Sequence, residues 1–178
     1  MAFQNKLIQG LYNDALKGRD TDLQVICPTS SDHQSSIIID TEHDGVSTAT
    51  FHLHSLIVSS SSNYFATFPE PKTGRVINDV DAPTFEVCVK YMYLGECDDK
   101  LSNDNVASIL YASDILQIDG LKLKCMEYLK DNLDHTNYEQ VVQLAEQFGN
   151  PQLKMHVSGC LLPYSHVLLI VYTPNIIL

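Results

Sequence analysis

The residues with the most chemical potential are two histidines two apart, in the stretch FHLHSLIVSSSSNYF that runs from Phe51 to Phe65. On an extended segment, residues i and i+2 point to the same side, so His52 and His54 can chelate a metal ion. A closed site needs a third and a fourth ligand, and no His, Cys or carboxylate stands at a recognisable spacing from this pair. The competing reading is a strand-end histidine bonded to neighbouring backbone or carboxylate groups, with His54 placed immediately before a helix start. The Ser59 to Ser62 run has two readings as well. One is a linker or phosphorylation tract; the other is a set of small residues packing two short helices, with one serine capping the second.

Other reactive side chains are scattered. The five cysteines (Cys27, Cys88, Cys97, Cys125, Cys160) form no CxxC pair, which leaves neither a zinc ribbon nor a disulfide framework in view. Cys27, Cys88 and Cys125 fall at strand or apolar-periodic positions and are expected to be buried and inert. Glu96 with Asp98-Asp99 reads as a solvated acidic loop. No serine lies in GxSxG, and there is no glycine-rich phosphate loop. No catalytic constellation, cofactor site or metal site is assembled, so the chain does not read as an enzyme.

The totals point the same way. At 178 residues with 44% apolar composition, the chain can bury the core of one domain and carry an appendage. Eleven Lys+Arg against 22 Asp+Glu give a net charge of −11. A surface of that sign repels phosphate backbones, which argues against direct nucleic-acid binding and favours basic or apolar partner surfaces. The opening MAFQNKLIQGLYNDALKGRD is amphipathic, without the continuous apolar core of a secretory signal. A reducing cytoplasmic or nuclear setting is the expectation.

The elements that must position these residues follow from periodicity. Leu7, Ile8, Leu11, Tyr12, Ala15 and Leu16 make one face of a helix that stops near Gly18. Asp22 to Cys27 reads as a strand closed by Pro28. Residues 28–50 read as a long solvated connection around Ile37–Asp40, with room for an extra hairpin strand. Phe51 to His54 is a strand entering a helix at Ser55, followed by a second short helix to about Phe68 and a turn-rich break, PEPKTG. RVINDV is a third strand. Asp81 as N-cap, Pro83 in the first turn and Gly95 at the end bracket a helix with Phe85, Cys88, Val89 and Met92 inward. A helix after Ser102–Asn103 directs Val106, Ile109, Leu110 and Leu116 inward. Gly120 separates it from another carrying Leu121, Cys125, Tyr128 and Leu129. Thr136 and Glu139 have capping-box spacing before a face of Val141, Leu144, Ala145 and Phe148, closed by Gly149 and Asn150-Pro151. One helix, a few strands and then helices only is an α+β arrangement: a small three-stranded sheet flanked by helical hairpins.

Taken in order, these pieces resemble the BTB/POZ domain from about Leu7 to Leu133. Phe51, His54, Leu56, Val58, Ser62, Tyr64 and Phe65 fall on positions of that family's central signature. TDLQVI resembles its Asp-led first strand, beginning at Asp22. VINDVDAPTFEVCVKYMYLGE resembles the third strand and the helix ending in a Tyr-x-Gly turn at Gly95, and NVASILYASDILQIDGLKLKCMEYL the helical hairpin that follows. HTNYEQVVQLAEQFGNPQLK is similar to the start of the BACK, or three-box, extension of Kelch-type and MATH-type adaptors. The resemblance implies a BTB/POZ domain over 1–134, a BACK-like start over 135–157 and an apolar segment over 158–178. That last segment, interrupted by Pro163 and Pro174, is expected to pack on the domain or to be a divergent or truncated end; a tail anchor is the minor reading.

The resemblance also implies function: a protein–protein interaction module that homodimerises and, as a substrate adaptor, binds the third cullin of RING ubiquitin ligases. The dimer contact would use Leu7, Ile8, Leu11, Tyr12 and Leu16. The cullin contact would use Phe68 and Glu70, which match a hydrophobic–x–Glu spacing, with Tyr93, Leu94, Leu110 and Tyr111 on the hairpin side. Asp22, Phe51, His54, Ser62, Tyr64, Phe65 and Gly95 would specify the fold, with His54 fixing the strand-to-helix corner. No Kelch repeats, MATH domain or zinc fingers occur in the sequence, so the substrate-selecting half of such an adaptor is expected to be missing or to lie in the long connection or the odd final segment. The alternative within the same fold is an oligomerisation domain of a transcriptional regulator or scaffold that binds corepressor-like peptides.

Overall fold

The computed structural model describes residues 2–29, 41–43, 46–67 and 74–160. Helix α1 (Ala2–Ala15) ends in a turn through Gly18, whose φ of 61° is left-handed. Strands β1 (Leu23–Pro28), β2 (Thr41–His43), β3 (Val46–Leu53) and β4 (Arg75–Val76) form one sheet in the order β2-β3-β1-β4. To the three expected strands the structure thus adds a fourth, the hairpin strand β2; Ile37–Asp40, around which it was sought, lies outside the described residues. RVINDV contributes only two residues of strand before it turns, although the Ile77 N–H still donates to Ile26 O.

Period-two alternation places the sheet's apolar face. In the antiparallel β1–β3 register Leu23 faces Leu53, Val25 faces Phe51 and Cys27 faces Ala49, and all six are buried. Against this face pack the helices. After β3 the chain enters α2 (Ser55–Ser61) and α3 (Asn63–Thr67), and after β4 it forms α4 (Ala82–Leu94). Phe51 meets Phe85 edge-on with ring centroids 4.9 Å apart, and Phe65 lies 6.5 Å from the same ring. One aromatic cluster therefore joins β3, α3 and α4.

Helix α4 is bracketed by its caps. The Thr84 N–H donates to Asp81 Oδ1 at 3.3 Å, Pro83 occupies the first turn, and Gly95 (φ 72°) donates its N–H to Tyr91 O. Then come a single 3-10 turn (Asp98–Lys100), α5 (Val106–Ile115), α6 (Asp119–Asp131), α7 (Tyr138–Gln147) and α8 (Pro151–Cys160). Val106, Ile109, Leu110 and Leu116 are all fully buried.

Two expected signals work differently. Gly120 lies inside the first turn of α6 rather than between helices, and the left-handed break belongs to Gln117 (φ 52°). A Cβ at 120 would stand 2.2 Å from Tyr91 Oη, so a larger residue there requires that phenol to shift. The Thr136–Glu139 capping box is also replaced. Asp134 Oδ1 accepts from the Thr136 N–H, the Thr136 hydroxyl and the Asn137 N–H, which spends the threonine hydroxyl before the helix begins.

The chain divides into two compact units between Cys125 and Met126. In the second, α7 packs on α8 through Val141, Leu144, Ala145, Leu153 and Val157, and Asn150 Oδ1 caps α8 by accepting from the Leu153 N–H at 2.9 Å.

The aromatic cluster yields a direct test. Phe85→Ala empties the contact shared by Phe51 and Phe65, and a loss of about 3–5 kcal/mol is expected in urea-induced unfolding.

Candidate interaction surface

The corner between β3 and α2 is where the opening histidines come to rest. A helix start leaves backbone N–H groups without intrahelical partners, and His54 at the N-cap makes no side-chain cap bond. Two residues distant in sequence serve the corner instead. Asp22, just ahead of β1, accepts from the Ser55 N–H through Oδ1 (2.7 Å) and from the Ser55 hydroxyl through Oδ2 (2.6 Å). Tyr93, in the last turn of α4, receives the His54 N–H on its hydroxyl oxygen at 2.8 Å, and the same oxygen lies 2.8 Å from His54 Nδ1. Which of Tyr93 Oη and His54 Nδ1 donates depends on the imidazole tautomer. Nε2 is buried and finds no hydrogen-bond partner. Burial pushes the Tyr93 phenol up to about 12, with the Asp22 charge adding to the shift, so the hydroxyl stays protonated throughout the physiological range.

His52 parts from His54. It stays on β3 opposite Gln24, and its ring lies beside Gly18, where a Cβ would stand 3.4 Å from Cγ. Among the described residues no three His, Cys, Asp or Glu side chains gather to hold a metal ion. Cys27, Cys88, Cys97 and Cys125 are buried free thiols. Desolvation pushes Cys27 and Cys125 up to about 12 and Cys97 to about 11, and raises Cys88 well above its ordinary value. At neutral pH none of them supplies a thiolate nucleophile.

The serines after the corner tie elements together. The Ser61 hydroxyl donates to Met92 O on α4 (3.1 Å). Buried Ser62 donates to Leu116 O (2.5 Å) and accepts from the Phe65 N–H (3.3 Å) at the start of α3. Tyr64 and Phe65 flank a residue that sequence reasoning missed. Arg75, buried on β4, sets its guanidinium 5.2 Å and 5.3 Å from their ring centroids. An arginine opening a strand after a Tyr-Phe pair was the available signal, and it is a weak one without the fold.

The residues expected at partner contacts divide sharply. On α1, Leu11, Tyr12 and Leu16 are half-buried; Tyr12 leans on Tyr93 with ring centroids 5.7 Å apart. Leu7 and Ile8 stand out at 55% and 39% exposure. Phe68 and Glu70 lie outside the described residues. Tyr93 and Leu110, expected on a partner-binding face, are both buried: the first is committed to the His54 corner, the second to the core beneath α5. Leu94 is half-buried. Tyr111 and Ile115, one helical turn apart on α5, remain at 40% and 39% exposure. Exposed apolar side chains such as these are candidates for contact with a partner.

A sequence model of the BTB/POZ domain matches residues 30–133. Human Kelch repeat and BTB domain-containing protein 6 is 38% identical over 78 residues, which cover 44% of this chain and 11% of the relative. Human Kelch-like protein 38 is 31% identical over 107 residues, 57% of this chain and 18% of the relative. The chain thus spans less than a fifth of either protein. Among solved structures, the BTB domain of zebrafish PATZ1 superposes with a TM-score of 0.50 at 15% identity, over 71% of this chain and 91% of that domain, and so shares its fold.

The corner makes two tests. Tyr93→Phe leaves the part-buried His54 N–H without this acceptor, and a loss of about 1 kcal/mol is expected in thermal or chemical unfolding. Ser55 holds the Asp22 carboxyl below its ordinary 3.8. The folded value therefore lies below the unfolded one, and the stabilisation is complete above pH ~4 and fades as pH falls through the folded value. Asp22→Asn should flatten the stability curve on that acid limb; an unchanged limb would remove Asp22 from the account.

Proposed function

The chain belongs to the BTB/POZ family, a family of protein-interaction modules, and on that premise we propose that it works as a homodimeric adaptor for a cullin scaffold of a RING ubiquitin ligase. The observation that supports the reading is exposed apolar surface on two helices, Leu7 and Ile8 on α1 and Tyr111 with Ile115 on α5, among the eight large hydrophobic residues exposed in the described residues. Interfaces draw affinity from a few apolar or aromatic anchors that lose water on docking. Two such faces on separate elements suit two partners, a second copy at α1 and the scaffold at α5.

In this reading Leu11, Tyr12 and Leu16 hold α1 in place while Leu7 and Ile8 meet the partner copy. On the other face Tyr111 is the anchor, Leu94 borders it, and Phe68 with Glu70 adds a contact from the segment after α3. No catalytic step, cofactor or metal is required, and the setting is the cytoplasm or nucleus. Among the described residues no helix is long and apolar enough to cross a membrane. Substrate selection belongs to sequence of the kind that makes up the rest of the Kelch-type relatives, whose length this chain covers only in small part.

Charge supplies a signature of its own. Each copy carries −11, so self-association must come from apolar contact working against long-range repulsion. Dimerisation should strengthen as salt rises from about 0.01 M to 0.15 M and the screening length drops from about 30 Å to 8 Å. Leu7→Asp with Ile8→Asp should give a folded monomer by sedimentation.

For the scaffold, the test is calorimetric titration with the N-terminal domain of the third cullin, comparing the parent chain with Tyr111→Ala and Glu70→Ala. Binding that weakens at least tenfold on Tyr111→Ala supports the α5 face. Binding lost only on Glu70→Ala moves the contact to the segment after α3. No binding by folded dimer would sink the adaptor reading and leave an oligomerisation or scaffold module.

A further inference from the structure

Helix α1 contains a glycine for which its own copy has no use. Gly10 lies well inside Ala2–Ala15, and a Cβ built on it meets nothing within 4 Å among the described residues. Glycine surrenders the most backbone freedom on folding and is the weakest helix former after proline. Two other glycines show what offsets that cost: Gly18 has a left-handed φ of 61°, and Gly120 has the Tyr91 phenol against it. Gly10 has neither a left-handed φ nor a close neighbour, so alanine would suit the isolated helix better.

The residues around Gly10 suit contact with a second helix. Leu7, one turn earlier on the same side, is 55% exposed. Lys6 and Asp14 stand four residues before and four after the glycine, on that side too. Lys6 is exposed, and Asp14 accepts from the Arg19 guanidinium at 2.5 Å. Eight residues apart, Lys6 and Asp14 are separated by about 12 Å along the helix axis, too far to pair within one copy. Residues 1–13 contain no Asp or Glu, in a chain that has 22. Two copies of net charge −11 therefore meet little local repulsion over this stretch.

We propose that α1 crosses the α1 of a second copy antiparallel at Gly10, with the two glycines facing each other at the two-fold axis. This rests on the homodimer reading and names the contact at its centre. A two-fold interface uses the same patch on both copies, so a crossing centred on Gly10 sets each residue before it against the residue as far after it in the partner. Lys6 of each copy then faces Asp14 of the other, and the complementarity is used twice. This self-match favours a second copy over an unrelated helix, which has no reason to carry both signs at equal distances from the crossing. With no side chain at that point, the two backbones approach at the short end of the about 8–10 Å range of packed helices, and Leu7 packs along the partner helix.

The test is sedimentation of the full chain over a dilution series, with Gly10→Ala as the central variant. A methyl group in open space should raise the dimer dissociation constant at least tenfold. In the monomeric background of Leu7→Asp with Ile8→Asp, the same Gly10→Ala should instead raise the thermal midpoint by about 3 °C, because alanine is the better helix former. A glycine with a merely structural role cannot give these opposite signs. Lys6→Asp should also weaken the dimer, and adding Asp14→Lys should recover it, since the exchanged charges face each other again only across an antiparallel pair. A parent dimer whose affinity is unchanged by Gly10→Ala overturns the crossing and leaves the homodimer reading standing. Recovery that fails in the charge exchange overturns the antiparallel arrangement. A parent chain that sediments as a monomer throughout the series overturns the homodimer reading and this proposal together.

Discussion

One phenolic oxygen holds the first unit's architecture together. Tyr93 sits where α4 ends, and its hydroxyl answers both the backbone N–H and the ring nitrogen of His54, 39 residues earlier in the chain. The strand-to-helix corner cannot move without stranding these groups in a desolvated site. Because α4 also contacts α1, α2, α5 and β1, the bond fixes more than a corner. It sets where Tyr12 can lean, and through Tyr12 where the exposed end of α1 is presented. The placement of Leu7 and Ile8 is thus tied to a part-buried hydrogen bond made by other residues.

The two kinds of surface on this molecule do different work. Its abundant carboxylates oppose the approach of polyanions, whereas most of the large apolar side chains exposed among the described residues stand on helices. Tyr111 and Ile115 project from α5, whose other side buries Ile109, Leu110 and Ala112. A rigid backbone lowers the entropy lost when such residues dock, which suits α5 to recognition better than a loop carrying the same residues.

Local rules were legible where the determining groups lie within one turn of each other. Asp81, Pro83 and Gly95 delimit α4 by their own chemistry, and the alternation of Leu23, Val25 and Cys27 reveals the buried face of β1. Reading failed where a distant group decides. Gly120 looks like a helix break, but it answers to Tyr91 pressing against it. Thr136 has the spacing of a capping box, but Asp134 takes its hydroxyl first. Tyr93 was expected beside a partner contact and the fold turns it inward, whereas Leu110 is buried as its helical spacing implied. The BTB/POZ resemblance carried the topology correctly, since it rests on many spaced positions. It could not carry the orientation of single side chains, which depends on what each neighbour happens to be.

The Asp22–Ser55 contact has a bearing on how the molecule assembles. Helix α2 is seven residues long and rich in serine and β-branched residues, so an isolated α2 would be populated only fleetingly. Its first turn is bonded by a carboxylate 33 residues away, which stands just ahead of the strand paired with β3. Secondary structure at this corner is therefore a product of tertiary structure, and in a transition-state map α2 would register late, behind the strand pair that completes it.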